Sequence, residues 1–213
     1  MSTAIADLRK EYTKHALELT DVAPDPMQQF QRWFEEAQSA QVPEPNAMNL
    51  ATVSTYGRPT SRIVLLKGVQ KGFIFYSNYE SHKAQAIAQH RYVALTFFWP
   101  ELERQIRIEG QAAKVSAEQS TAYFHSRPRG SQIGAWTSPQ SEVIADRSVL
   151  AQRQEEYERR FEGKEIPKPD HWGGYQVLPD RLEFWQGRPS RLHDRILYTL
   201  QKDDSWKIER LAP

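Results

Sequence analysis

The chain has 213 residues, with 28 Lys or Arg against 27 Asp or Glu, a formal net charge of +1. That balance argues against a general nucleic-acid binder, which needs a broad basic surface. Cysteine is absent, which excludes disulfides, cysteine-ligated zinc and thiol catalysis. No apolar run reaches membrane-spanning length and MSTAIADLRKEY has no signal-peptide core, so a cytoplasmic location is expected.

Along the chain, Ala4 to Leu19 is polar and charged with weak helical spacing, and residues 1–20 are expected to form a mobile arm on a single domain. Asp25-Pro26 starts a helix, with Asp as N-cap and Pro at the first helical position. Met27, Phe30, Phe34 and Ala37 give it an apolar stripe, with Trp33 beside it. From Asn46 the period changes. Ala47 to Val53, Thr60 to Leu66, Phe73 to Tyr76, Val93 to Trp99 and Gln105 to Val115 are expected strands, rich in β-branched and aromatic residues. Ile106, Ile108 and Gly110 alternate with Arg107 and Glu109, as in a half-buried strand. Ser81 to Gln89 is a short helix opened by serine, and Ser116 to Phe124 another, with Ser116 and Gln119 spaced as a capping box. Asp146 to Phe161 is a longer charged helix. Tyr175 to Leu178, Leu182 to Trp185, Ile196 to Leu200 and Trp206 to Leu211 return to strand, with Pro179-Asp180 as a connecting turn. Short strands and tight turns favour an antiparallel barrel, mainly β with flanking helices, over a doubly wound parallel sheet.

Three segments carry candidate chemistry. Glu183 to Arg195, EFWQGRPSRLHDR, gathers two aromatics, three arginines, a histidine and an aspartate around a Gly/Pro turn. Arginine forks suit phosphates and delocalised anions, and histidine titrates near neutrality, so the segment points to a planar phosphorylated small molecule. Arg62 to Lys67 is a strand with a cation at each end, and Ser81-His82-Lys83 opens a helix that could seat a phosphate. Tyr123 to Ser131 offers hydroxyls and guanidinia together. Each segment also has a plainer explanation, as a solvated basic hairpin, a core strand, an ordinary N-cap or a surface loop. GxGxxG, P-loop, GxSxG and HExxH signatures are missing, and no histidine pair suggests a metal site.

In order along the chain, Arg9-Lys10-Glu11-Tyr12, RIVLLK, FYSN, SHKA, ERQIRIEG, YFHSRPRGSQIGAW, PQSEVI, HWGGY, EFWQG, RLHDR and WKIERLAP form a co-linear set. With these motifs the chain resembles the pyridoxine 5′-phosphate oxidases, flavin enzymes that make pyridoxal 5′-phosphate. The resemblance implies the FMN-binding split β-barrel, a homodimer with FMN between its subunits, and oxidation of pyridoxine or pyridoxamine 5′-phosphate with dioxygen as the final acceptor.

It also implies roles for residues. Arg62, Ile63, Val64, Leu65, Leu66 and Lys67 would run along the FMN. Tyr76, Ser77, His82 and Lys83 would hold its phosphate end. Gln105, Gln140, Ser141, Trp185 and Arg195 would complete the flavin site, some from the partner subunit. Lys67, Tyr123, Arg127 and Ser131 match the clamp on the substrate phosphate. Arg191 and His193, with Leu192 between them, match the segment against the reacting carbon. Arg9, Lys10, Glu11 and Tyr12 match the segment that closes over bound substrate. The family usually has Arg where this chain has His82, and often Asp where Gly130 stands. Split barrels host several flavoproteins, so a non-catalytic carrier of FMN or pyridoxal phosphate is the alternative. A second, substrate-phosphate clamp is what a mere flavin holder would not need.

Overall fold

The computed structural model describes residues 4–8 and 10–213. The Asp25-Pro26 signal is realised as a cap. Asp25 is extended, its carboxylate accepts from the Met27 and Gln28 N–H groups at 2.6 and 3.4 Å, and helix α1 runs Pro26–Ser39. Its buried face is Phe30, Trp33 and Ala37 with Gln29, so the stripe centres on Trp33 while Met27 and Phe34 flank it, half-buried.

Nine strands follow: β1 (Ala47–Val53), β2 (Pro59–Leu65), β3 (Gly68–Val69), β4 (Phe73–Asn78), β5 (Tyr92–Trp99), β6 (Arg104–Lys114), β7 (Trp172–Gln186), β8 (Asp194–Leu200) and β9 (Trp206–Leu211). They form one sheet in the order β2-β1-β5-β6-β7-β4-β3, with β8 pairing β7 and β9. The β3/β4, β4/β7, β7/β8 and β8/β9 pairs are antiparallel. Helices α2 (His82–Gln89), α3 (Ala117–Ser126), α4 (Arg129–Thr137) and α5 (Ser148–Arg160) complete the expected mainly-β architecture with flanking helices.

Three local expectations change. Pro179-Asp180 is not a turn: β7 runs straight through it as a fifteen-residue strand. Val177 is the last residue paired with β4 and Arg181 the first paired with β8. Pro179 thus sits where the strand changes partner, and its missing N–H costs neither of these ladders a bond. The stretch after Arg127, expected as a loop, contains α4. Ile133 and Thr137 on that helix are buried, and Ile133 packs in a cluster with Phe124, Phe161, Ile166 and Trp172. Ser81 stands at the N-cap of α2, but its hydroxyl donates to Asn78 O at 2.8 Å instead of capping the helix. Ser116 does cap α3, accepting from Gln119 N–H at 3.1 Å.

Contacts divide the chain into two compact units. The first comprises the residues up to Asn49, Ala94–Gly110 and Pro179–Pro213; the second comprises Leu50–Val93 and Gln111–Leu178. In the first, Trp33 meets Phe184 edge-on at 5.2 Å and the Arg104 guanidinium lies 4.4 Å over the Trp33 ring. Such contacts add about 0.5–1.5 kcal/mol each beyond the area they bury. In the second, Phe75 stacks on Tyr175 across β4 and β7 at 5.5 Å.

Candidate active site

In the second unit a cavity of about 600 Å³ opens between the end of β2, β4, the start of α2, and α3 with α4. Among the described residues its lining contains Lys67, Lys83 and Arg127 and no carboxylate. Three cations without an acid define a site for anions.

At one end Lys83, 9 % exposed, holds its ammonium among neutral oxygens. Nζ lies 3.2 Å from Ser77 Oγ, 3.3 Å from Ser81 Oγ and 3.2 Å from Gln140 Oε1. Burial, and then the nearby Arg62 charge, push the Lys83 pKa down. An anion would relieve both effects.

At the other end Arg127 Nη1 is buried with no hydrogen-bond partner, the one such side-chain atom found among the described residues. The guanidinium stands 4.6 Å over the Trp172 ring, and burial lowers its pKa. Tyr76 and Tyr123 stack at 3.9 Å and 20°, and Trp172 continues the stack at 5.4 Å from Tyr76. Gly174, opposite Tyr76 in the ladder, makes room for this. A Cβ there would lie 2.8 Å from the Tyr76 ring and 2.7 Å from the Val115 side chain. Burial raises the Tyr123 pKa, so its hydroxyl remains a hydrogen-bond donor.

Ile63, Val64, Leu65, Lys67, Tyr76, Ser77, Lys83, Gln140, Tyr123, Arg127 and Ser131 therefore share one cavity. Four expected neighbours stand apart from its lining. Leu66 is buried on the core side. Arg62 donates to Leu50 O at 3.1 Å, Thr52 Oγ1 at 2.8 Å and Thr60 Oγ1 at 2.8 Å. His82 is exposed on the first residue of α2. Ser141 is exposed at φ +78°.

The first unit carries the remaining candidates. Lys10, Glu11, Tyr12, Arg188, Arg191 and His193 line a cavity of about 370 Å³; Arg9 lies outside the described residues. Tyr12 meets Trp185 edge-on at 5.8 Å and His193 at 6.0 Å, and Trp185 and His193 are 4.5 Å apart. Ser190 and Arg191 both have left-handed φ, +56° and +61°, a conformation that exposes the Arg191 side chain in a tight turn. Leu192 beside it is exposed. His193 Nδ1 accepts from Arg188 N–H at 3.1 Å. Burial, followed by the Arg191 charge, lowers the His193 pKa against a smaller opposing effect of Asp194. Gln105 is half-buried on β6. Arg195 pairs with Glu183 at 2.8 and 3.0 Å and donates to Ala212 O at 2.9 Å; Glu183 also pairs with Arg107 at 3.2 Å.

Sequence reasoning gave Trp172 no role in the first cavity, and named Arg188 and Glu183 only as members of the segment Glu183 to Arg195. For Trp172 a signal was present, an aromatic directly before two glycines in a strand that must let rings approach.

Comparison with known proteins shows the family. Residues 34–160 match the family model for pyridoxamine 5′-phosphate oxidase, and residues 172–213 match the pyridoxine 5′-phosphate oxidase C-terminal dimerisation region. The chain belongs to the pyridoxamine 5′-phosphate oxidase family. Among this family's curated members it is 58% identical to the pyridoxine/pyridoxamine 5′-phosphate oxidase of Chromobacterium violaceum, and 55% identical to that of Trichormus variabilis. Each alignment covers 100% of both chains. The crystal structure of PhzG from Burkholderia lata 383, in complex with tetrahydrophenazine-1-carboxylic acid, superposes with a TM-score of 0.86. It is 28% identical and covers 93% of this chain and 98% of its own. The antiparallel split barrel of the oxidase family is thus the fold of this chain. Among the described residues no helix is long and apolar enough to cross a membrane.

Proposed function

We propose that the protein oxidises pyridoxine 5′-phosphate or pyridoxamine 5′-phosphate to pyridoxal 5′-phosphate, with FMN as its cofactor and dioxygen as final acceptor. The observation that carries this reading is the carboxylate-free cavity with a cation at each end, one of which, Arg127, keeps a buried nitrogen unpartnered. Two anionic groups fit it better than one. Lys83, Ser77 and Gln140 would hold the FMN phosphate; Arg127, Lys67, Tyr123 and Ser131 would hold the substrate phosphate.

Bound FMN would supply the two-electron acceptor, at flavin N5, for the hydride leaving substrate C4′, with dioxygen then reduced to hydrogen peroxide and, for the amine substrate, water releasing the nitrogen as ammonia. The protein contributes binding and orientation. A clamp on the non-reacting phosphate sets the position of the ring, and orientation of this kind supplies about 7–11 kcal/mol of a barrier in favourable cases. Arg191, exposed on its left-handed turn, would lie against the substrate and stabilise charge at the C4′ substituent. His193 accepts at Nδ1, so its neutral ring carries the proton on Nε2. It would act as a hydrogen-bond donor to that substituent, not as a base. Substrate phosphate and reacting carbon would thus be held by different segments, which a non-catalytic carrier does not require.

The match of residues 172–213 to a dimerisation region supports a homodimer, with part of each flavin site given by the partner subunit. Light scattering at low micromolar concentration should then give twice the 24.8 kDa chain mass. The activity is tested by mixing purified protein, FMN and pyridoxine phosphate in air and following pyridoxal phosphate and peroxide together.

A further inference from the structure

On the turn between β5 and β6 one residue, Glu103, contacts two segments of the first unit. Glu103, 2 % exposed, directs Oε2 at the N-terminal arm and accepts from Thr13 N–H at 2.9 Å and Lys14 N–H at 3.0 Å. Its carbonyl oxygen accepts from Gly187 N–H at 2.7 Å and Gln186 Nε2 at 3.2 Å. The side chain therefore fastens the segment that carries Tyr12, and the main chain fastens the start of the loop that carries Arg191 and His193. Lys14 adds a bond from Nζ to Glu101 O at 2.7 Å on the same turn.

Two features mark this contact as a fastening and not incidental packing. Glu103 forms no ion pair among the described residues, so its buried carboxylate relies on those two arm N–H groups. It also sits at φ +56°, a conformation that disfavours a residue with a side chain. Opposite it, Gly187 gives Tyr12 its seat: a Cβ there would fall 2.7 Å from the Tyr12 ring. With the arm lifted, the carboxylate needs water in place of two charge-assisted bonds, an exchange cheap enough to be reversible.

We infer that Glu103 is a positioning residue, a latch that sets how the arm closes Tyr12 against Trp185 and His193. This rests on the proposed function in taking the substrate to bind beside Arg191 and His193. The test uses the FMN-loaded protein and three variants, Glu103→Ala, Glu103→Gln and Thr13→Pro. Thr13→Pro removes one donor from the arm and leaves the β5–β6 turn untouched, so it decides the question if Glu103→Ala fails to fold. Two readouts are taken: the rate of tryptic cleavage after Lys14, and KM and kcat for pyridoxine phosphate. Glu103→Ala should be cut after Lys14 and raise KM by about tenfold each, with flavin content unchanged and kcat within about twofold. Glu103→Gln, whose amide oxygen still accepts, should fall between, and Thr13→Pro should move both readouts in the same direction. Wild-type resistance after Lys14 would overturn the latch, as would a freed arm with unchanged KM. A wild-type protein that cleaves slowly after Lys14 but does not turn over would instead count against the proposed function, with cleavage of the variants still deciding the latch.

Discussion

Arg127 stands over the ring of Trp172, its guanidinium carbon 4.6 Å from the centroid, with Nη1 buried and unpartnered. The ring holds the cation from one side by its negative face while leaving its donors free. A buried donor without a partner costs about 1–3 kcal/mol, and a ligand phosphate would recover it.

Replacing Arg127 with Ala should therefore act on substrate binding. Loss of charge-assisted bonds worth about 1.5–3 kcal/mol should raise KM for pyridoxine phosphate by about ten- to a hundredfold. Flavin content should stay at the wild-type level. Steady-state kinetics with flavin absorbance checks both, and a variant that loses FMN while keeping its KM would reverse the assignment of the two cavity ends.

The opposite end gives a paired prediction. Lys83→Met should weaken FMN binding by about tenfold or more, since it removes the buried ammonium facing Ser77 and Gln140. His82 is exposed and outside the cavity lining, so His82→Arg should leave the FMN dissociation constant within about twofold at mildly acidic and mildly alkaline pH alike. Fluorescence titration of apoprotein with FMN measures both. Tighter binding by His82→Arg at alkaline pH alone would mean that the imidazole touches the phosphate and is lost as a cation when it deprotonates.

Much of this was legible in the chain. Asp25-Pro26 located α1, and Ala47–Val53 and Trp206–Leu211 have the strand limits that their residues suggest. Motif order brought the lining of the anion cavity together without geometry. α4 was hidden because Gly130 and Gly134 are poor helix formers; distant contacts hold it, with Ile133 buried beside Phe161 and Trp172, Arg129 donating to Phe161 O and Trp136 donating to Pro167 O. Pro179 misled because a proline marks a turn except where a strand changes partner. Glu103 carried no local signal at all: its partners Thr13 and Lys14 lie ninety and eighty-nine positions away.

The two glycines before Tyr175 make a stability prediction that does not depend on the reaction. Gly174→Ala would bring a methyl group within 2.8 Å of the Tyr76 ring and 2.7 Å of Val115. Overpacking of this kind costs about 1–3 kcal/mol, visible as a lower denaturant midpoint. Because the displaced ring belongs to the Tyr76–Tyr123 stack, ligand binding should weaken too. A variant as stable as wild type would mean that the strand shifts to admit the methyl group.

His193 should set the acid side of the pH profile. Its pKa is lowered, first by burial and then by Arg191, so the neutral Nε2–H donor should persist below the ordinary histidine value of about 6.5. Between the lowered and the ordinary value the unfolded chain binds a proton that the folded chain refuses. Stability should therefore decline as pH falls through that window and be unaffected by this group above it. The acid limb of kcat/KM should lie below about pH 6.5 and vanish in His193→Asn, which retains a donor but does not titrate. Loss of nearly all turnover in His193→Asn at every pH would make His193 a base, since asparagine can donate but cannot take up a proton.

The proposed function has one protein bind FMN and oxidise a phosphorylated pyridoxine. The most direct measurement incubates the purified, FMN-loaded protein with pyridoxine 5′-phosphate in air and quantifies pyridoxal 5′-phosphate and hydrogen peroxide in the same samples. Both should appear in equal amounts, and Arg127→Ala should slow them together at low substrate. Binding of FMN with neither product formed would contradict it and leave the chain a flavin carrier on an oxidase fold.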